Sequence, residues 1–332
     1  MKLWRLLFVA LALAVAGVVA GAAWWLNQPM ALNADTVELS VEPGTAPREI
    51  ANAWVQAGVQ ASPTLLYEWF RWSGLARKIR AGSYEIARGT TPTSLLNKMV
   101  RGDESLATVK LLEGWTFKQF RAELAKAEAL KPTTAALGDA ELMSALGAPG
   151  IAPEGRFYPD TYAYSKGSND IAVLKRALHA MQKRLDDAWA QRAADTPLKT
   201  ADDALALASI VEKETGAAAD RGRVAAVFAN RLRIGMPLQT DPSVIYGLGE
   251  AFDGNLRKRD LLADTPFNTY TRGGLPPTPI AMPGKASLWA AVRPDPSSAL
   301  YFVARGDGSS EFSETLAEHN RAVNKFQRGK TR

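Results

Sequence analysis

The stretch ALALASIVEKETG, residues 204–216, begins as an apolar run and ends with Glu212 and Glu214 on either side of one lysine. In a helix, side chains three, four and seven positions earlier lie beneath a given residue. Beneath Glu212 these are Ser209, Ala208 and Leu205; beneath Glu214 they are Val211, Ile210 and Leu207. Both carboxylates continue apolar rows, and periodicity does not choose between them. Residues two apart on a helix diverge by about 200°, so at most one faces a given cleft. The row under Glu212 is the smaller and leaves room beside its carboxylate. A glutamate that donates a proton at neutral pH needs its pKa lifted from about 4.3 to about 6 by a poorly solvated pocket. A helix that is apolar on every side and ends at a cleft supplies one. The plainer alternative is two solvated charges at a helix end, near Lys213 and Arg223.

Two further stretches carry polar groups suited to binding. MPLQTDPSVIYGLG sets Gln239, Thr240, Asp241 and Tyr246 in a turn-like region, and PFNTYTRGGLPPTPIAMPG adds Asn268, Tyr270 and Arg272 among five prolines. Proline fixes φ and stiffens a loop, and a stiff loop holds polar side chains in place. Amides and hydroxyls beside aromatic faces are the groups that hold sugar hydroxyls and sugar rings. The bland alternative is a surface loop whose prolines only lower unfolded-state entropy.

Composition narrows the chemistry. The 332 residues include no cysteine, which excludes disulfides, thiolate metal sites and cysteine nucleophiles. The two histidines, His179 and His319, fall on separate helical stretches and read as surface residues, which leaves carboxylates as the leading acids and bases. The net charge of +6 suits an anionic surface or polymer. No block of five or six basic residues and no zinc-finger or RNP1 pattern occurs, so nucleic acid is the weakest partner class.

The elements that must position these residues follow an apolar N-terminus. After Lys2 and Arg5 no charge occurs from Leu6 to Leu26, a stretch about 30 Å long as a helix, with Trp4, Trp24 and Trp25 at its ends. This reads as a transmembrane helix over residues 6–26, with residues 1–5 cytoplasmic and everything after Asn27 outside. Residues 27–35 read as a linker. Residues 36–102 read as a small α/β module, with TVELSV and GSYEIA as strands and helices starting at Pro63 after Ser62 and at Pro92 after Thr91. A larger α+β unit spans residues 106–328, with a strand before Gly114, a helix burying Phe117, Phe120 and Leu124, and an aromatic loop EGRFYPDTYAY. It continues with a long helix capped by Asn169, a helix stopped near Gly235, and a last helix from Ser313.

Together, ASIVEKETG, VAAVFANRLRIGMPLQTDPSVIYGLG, FNTYTRGGLPPTPIAMPG and LYFVARGDGSSEFSETLAEHN resemble, in order and spacing, the endolytic murein transglycosylases of the MltG/YceG family. EGRFYPDTYAY resembles another motif of that family. The resemblance runs from the apolar N-terminus to Asn320. It implies an α+β chain with one N-terminal membrane helix, a small LysM-like module over residues 36–102 and a YceG-like catalytic domain on the periplasmic side of the inner membrane. The glutamate directly after the valine, Glu212, matches the family's catalytic acid/base, which leaves Glu214 as scaffold. Glu154, Asn230, Gln239, Thr240, Asp241, Asn268 and Tyr270 match its cleft positions; Arg156 and Tyr158 depart from its aromatic loop. The implied reaction cleaves the MurNAc-β-1,4-GlcNAc bond within nascent glycan strands, leaves a 1,6-anhydroMurNAc end and terminates strand elongation, with no metal or organic cofactor. Peptidoglycan strands, the membrane and peptidoglycan synthases are the implied partners. Two alternatives stand beside this reading. One is a glycoside hydrolase in which Asp241 or Glu154 partners Glu212, and the other is a non-catalytic glycan-binding membrane protein that binds through residues 36–102.

Overall fold

The structure is a computed structural model and describes residues 2–328. The chain divides into two units. The first holds residues up to Thr108 together with Glu128–Lys131 and Ala163–Ser168, and the second holds the remainder.

In the first unit, helix α1 runs Lys2–Leu26, and its portion Leu7–Leu26 is long and apolar enough to cross a membrane. Met1 and the side chains of Lys2 and Arg5, on which the expected orientation rests, lie outside the described residues. Strand β1 (Ala31–Leu32), β2 (Thr36–Val41), α2 (Pro47–Ala57), β3 (Val59–Gln60), α3 (Pro63–Trp72), β4 (Gly82–Ala87) and α4 (Pro92–Arg101) follow. β2 pairs antiparallel with β4, Thr36 opposite Ala87 and Val41 opposite Gly82. β1 pairs with β3, so the stretch read as a linker is partly structured. Val37 and Val41 point into a core of Trp54, Leu66, Phe70, Tyr84, Leu95 and Met99. Ser62 accepts a bond from Leu65 N and Thr91 from Ser94 N, with proline at the first turn of α3 and of α4, as their sequences direct.

Strands β5 (Leu106–Lys110) and β6 (Thr161–Ser165) pair with each other, and the division between units falls within both. The end of the expected aromatic loop is therefore β6.

The second unit comprises α5 (Phe117–Lys126), α6 (Asp139–Ala145), α7 (Asp170–Ala190), α8 (Ala201–Glu214), α9 (Arg221–Arg233), α10 (Asp241–Leu248) and α11 (Lys258–Leu262). It ends with α12 (Lys285–Val292), β7 (Tyr301–Ala304), β8 (Ser310–Ser313) and α13 (Leu316–Val323). β7 and β8 pair antiparallel, so Ser313 closes a strand and the last helix begins at Leu316 rather than at Ser313. α10 replaces the turn expected at DPSVIYGL, because Pro242 sits in its first turn, where a missing N–H costs nothing. Helix α8 is central. Every residue from Ala204 to Val211 is buried, against α7, α9 and α12. Alanines at 204, 206 and 208 face a crowded interior without bulk. Thr200 caps α8 and forms a reciprocal pair with Asp203.

Asn169 stands at the cap position of α7 but its side chain makes no cap bond. The neighbouring Asp170, 5% exposed, takes the polar role instead. Its carboxylate accepts from Thr133 Oγ1 at 2.7 Å, Thr134 N at 3.1 Å and Thr134 Oγ1 at 2.6 Å. Asp170→Ala leaves these buried donors unpaired and is expected to destabilise the second unit by about 3 kcal/mol, measured as a lowered urea midpoint with an unchanged slope.

Candidate active site

Helix α8 delivers its two terminal carboxylates to different surroundings. The Glu212 side chain is 8% exposed. Its Oε2 accepts the Gly284 N–H at 2.9 Å, and Arg221 Nη2 stands 3.9 Å from Oε1. The stretch Ile280–Gly284 runs beside α8 because small residues admit it: Ser209 Oγ accepts Ile280 N–H at 3.0 Å. On its other side the same stretch is tied to residues 114–115, since Gly114 N donates to Met282 O and Met282 N to Trp115 O. Those bonds carry Glu113 to the site. A Cβ on Gly284 would lie 1.8 Å from Glu113 Oε1, so Gly284 lets the Glu113 carboxylate approach the N–H that serves Glu212. Glu113 faces solvent more than Glu212 does, and its pKa is raised, first by partial burial and then by the charge of Glu212, against the pull of Arg221. Sequence reasoning missed Glu113. The legible signal was a carboxylate before the turn glycine Gly114, which has φ of 75°.

Glu214 points to a second cluster. Thr240 Oγ1 donates to Glu214 Oε1 at 2.5 Å, and Tyr270 Oη donates to Asp241 Oδ1 at 2.6 Å. Burial raises the Glu214 pKa, the Thr240 bond lowers it, and the Asp241 charge raises it further. Thr240, 1% exposed, is the cap residue of α10, and Asp241 is the first residue of that helix. Gln239 adopts a left-handed φ of 52°, a conformation costly for a side-chain-bearing residue. Three bonds hold it there: Gln239 N donates to Thr269 O, Thr240 N to Thr269 Oγ1, and Arg231 Nη1 to Gln239 Oε1. Buried Arg231 also binds the carbonyls of Pro237, Leu238 and Leu300. The structure thus gathers Gln239, Thr240, Asp241 and Tyr270 around Glu214, a carboxylate read as scaffold, while Glu212 meets Gly284, Arg221 and Glu113.

Of the other sequence candidates, Asn268 and Asn230 have their side-chain amides engaged internally. Asn268 Nδ2 donates to the carbonyls of Leu261 and Ala263, and its Oδ1 accepts from Tyr270 N, so it shapes the loop that carries Tyr270. Asn230 Nδ2 donates to Ser297 O and Ala299 O. Arg156 pairs with Asp202 at 2.8 Å, and buried Tyr158 lies under Arg184. His179 is exposed as expected, but His319 is half-buried and stacked on Tyr301, with burial lowering its pKa.

Glu154, 7% exposed, caps α5. Its oxygens accept from Phe117 N at 3.1 and 3.2 Å and from Tyr246 Oη at 3.1 Å. Burial lifts its pKa from 4.5 to about 7, with the Phe117 and Tyr246 bonds opposing. The folded chain therefore keeps a proton there that the unfolded chain loses above about pH 4.5. Stability falls as pH rises from 4.5 to about 7, by about 3 kcal/mol. Glu154→Gln keeps an acceptor for Phe117 N and does not titrate. Urea unfolding at several pH values across that window is expected to show the slope in the parent chain and its loss in the variant.

The YceG-like family model matches residues 39–325. An endolytic murein transglycosylase of Bacillus subtilis (strain 168) is 30% identical, over 88% of this chain and 85% of that protein. One from Streptococcus pneumoniae serotype 2 (strain D39) is 26% identical over 95% of this chain, which spans 63% of the pneumococcal protein's length. A crystal structure of a yceG-like protein from Listeria monocytogenes superposes with a TM-score of 0.55 at 27% identity, covering 86% of this chain and 98% of that one. The chain belongs to the YceG-like family.

Proposed function

We propose that the chain is a membrane-anchored endolytic peptidoglycan lytic transglycosylase with Glu212 as its single acid/base. The observation that carries this reading is the setting of Glu212. It ends a helix buried on all sides, takes one fixed N–H from Gly284 and has Arg221 within 3.9 Å. An N–H aimed at one oxygen fixes the carboxylate's orientation and leaves the other oxygen for a substrate proton. The names of the relatives from Bacillus and Streptococcus support the same substrate class.

The steps follow from that geometry. Protonated Glu212 gives its proton to the glycosidic oxygen between MurNAc and GlcNAc as the C1–O bond breaks. The resulting carboxylate removes the proton from the MurNAc C6 hydroxyl, whose oxygen bonds to C1. The products are a GlcNAc hydroxyl end and a 1,6-anhydroMurNAc end; Glu212 is protonated again and no water is consumed. One residue that switches roles is enough for an intramolecular attack. Gln239, Asp241 and Tyr270 are the candidate glycan contacts; Thr240, expected among them, is buried and instead ties their turn to Glu214. Asn268 and Asn230 act behind them, as loop supports, and Glu154 as the support of α5.

The anchor reading rests on Leu7–Leu26; placing the catalytic unit on the periplasmic side of the inner membrane rests on Lys2 and Arg5 before that stretch and on the family resemblance. The order β2–α2–α3–β4 around an antiparallel pair supports the LysM-like reading of residues 36–102. An enzyme tethered to the membrane meets strands as they emerge, which favours cutting new strands, ending their elongation, and working beside peptidoglycan synthases.

A second reading is hydrolysis. Glu113 favours it, because a hydrolase of this kind uses two carboxylates and Glu113 is the one whose titration the Glu212 charge perturbs. Purified full-length chain incubated with glycan strands decides between them by mass, since an anhydro end is one water lighter than a reducing end. Anhydro products are expected. Glu212→Gln, which still accepts the Gly284 N–H, is expected to lose about 10³-fold in rate with no change in thermal midpoint. Unimpaired release by that variant sinks the assignment. Glu113→Gln is expected to retain the anhydro product, whereas reducing ends from the parent chain and their loss in this variant would favour the hydrolase.

A further inference from the structure

Helix α3 in the first unit has an apolar side left largely open by the described residues of that unit. Leu66 and Phe70 are fully buried, while Leu65 is 53% and Trp72 76% exposed. Leu65 and Trp72 are seven residues apart and so lie within about 20° of each other around the helix. Trp69 sits about 40° from Leu65, between that exposed row and the buried face. A stripe of one leucine and two tryptophans on a short helix is unusual on a surface exposed only to water.

Where this stripe lies follows from a chain of bonds. Trp69 Nε1 donates to Pro92 O at 3.2 Å, and Pro92 opens α4. The next residue, Thr93, donates through Oγ1 to Leu26 O at 3.0 Å, and Leu26 is the last residue of α1. Trp25 packs on the core of the same unit and Trp24 is 67% exposed. Two bonds thus join the edge of the α3 stripe to the residue at which the candidate span ends. The chain after the stripe is also charged in one sense. Residues 69–84 contain Arg71, Arg77, Lys78 and Arg80 and no acidic residue, and all four cations are exposed. The acid just before them, Glu68, is engaged by Arg71 and by Trp72 Nε1 at 3.1 Å.

We infer that α3 lies in the headgroup layer of the leaflet where α1 ends, with Leu65, Trp69 and Trp72 in the interface and the basic segment 71–80 over anionic lipid. This rests on α1 spanning the membrane. Tryptophan is favoured at that depth because its ring is apolar and its N–H is not, and cations near an anionic leaflet add attraction that salt screens. The unit then touches the bilayer at two places, the end of α1 and the side of α3, which limits its tilt.

The absence of cysteine makes the test direct. Single-cysteine variants of the full-length chain, Leu65→Cys, Trp72→Cys, Val15→Cys and His179→Cys, are spin-labelled and placed in nanodiscs containing phosphatidylglycerol. Labels at 65, 72 and 15 are expected to collide more with lipid-soluble oxygen than with a water-soluble nickel chelate, and the label at 179 the reverse. In purely zwitterionic nanodiscs the oxygen preference at 65 and 72 is expected to shrink; an unchanged preference overturns the role given to the basic segment. Labels at 65 and 72 that read water while 15 reads lipid overturn the docking and leave the anchor standing. Labels at 65 and 72 shielded from both reagents mean that protein covers the face, which also overturns it. A label at 15 that reads water overturns the anchor and the docking together.

Discussion

A helix buried on every side has to present its polar end somewhere, and in this chain that constraint falls on α8. From Ala204 to Val211 nothing polar faces out, and the hydroxyl of fully buried Ser209 is used internally. The first side chains free to be charged are those of Glu212, Lys213 and Glu214. They emerge at one level of the fold, at the margin of the unit's apolar interior, where carboxylates lose hydration without losing all access to solvent. Sheathing by α7, α9 and α12 is what sets that level. A shorter buried stretch would leave the glutamates in water, and a longer one would neutralise them.

The two-residue spacing then does the sorting. Because Glu212 and Glu214 point apart, each recruits a different piece of chain. Glu212 meets the stretch that ends in Gly284, which the small side chains of Ala208 and Ser209 admit. Glu214 meets the start of α10 through Thr240, where a left-handed Gln239 turns the chain. Arg231 and Thr269 hold that strained turn with bonds to its backbone and side chain. Polar side chains that are fixed in advance lose little freedom when a ligand arrives. The prolines between Pro266 and Pro283 stiffen the loop behind them.

Much of this was legible from residue types and local spacing. Helix starts at Pro63 and Pro92, the burial of Phe117, Phe120 and Leu124, and the apolar circumference of α8 follow from rules that act within a few residues. Two of the misreadings needed knowledge of a distant partner. Asn169 has the right residue type for a cap, yet Asp170 carries the bonds because Thr133 and Thr134 happen to face it. DPSVIYGL, expected to be turn-like, was a local misreading, since α10 tolerates Pro242 in its first turn. Glu113 went unnoticed because its importance lies in Gly284, a residue far along the chain. Local chemistry was readable; which loops meet was not.

The carboxylates also show why a perturbed pKa does not by itself mark a reactive group. Glu154 is lifted to about 7, which would suit an acid/base at neutral pH. Yet it is 7% exposed and its oxygens are occupied by Phe117 N and Tyr246 Oη. Its perturbation is the cost of capping α5 from inside the fold. Glu113 has the opposite balance: it faces solvent, and part of its shift comes from the charge of Glu212 rather than from burial alone. Glu214 lies between, half-buried and bonded to a turn that bears other polar side chains. What distinguishes a candidate acid is therefore the combination of a desolvated carboxyl, an oxygen left without an internal donor, and a route for substrate. Among the described residues Glu212 is bonded through Oε2 and has only the more distant Arg221 at Oε1, and on that balance it is the carboxyl best placed to move a proton.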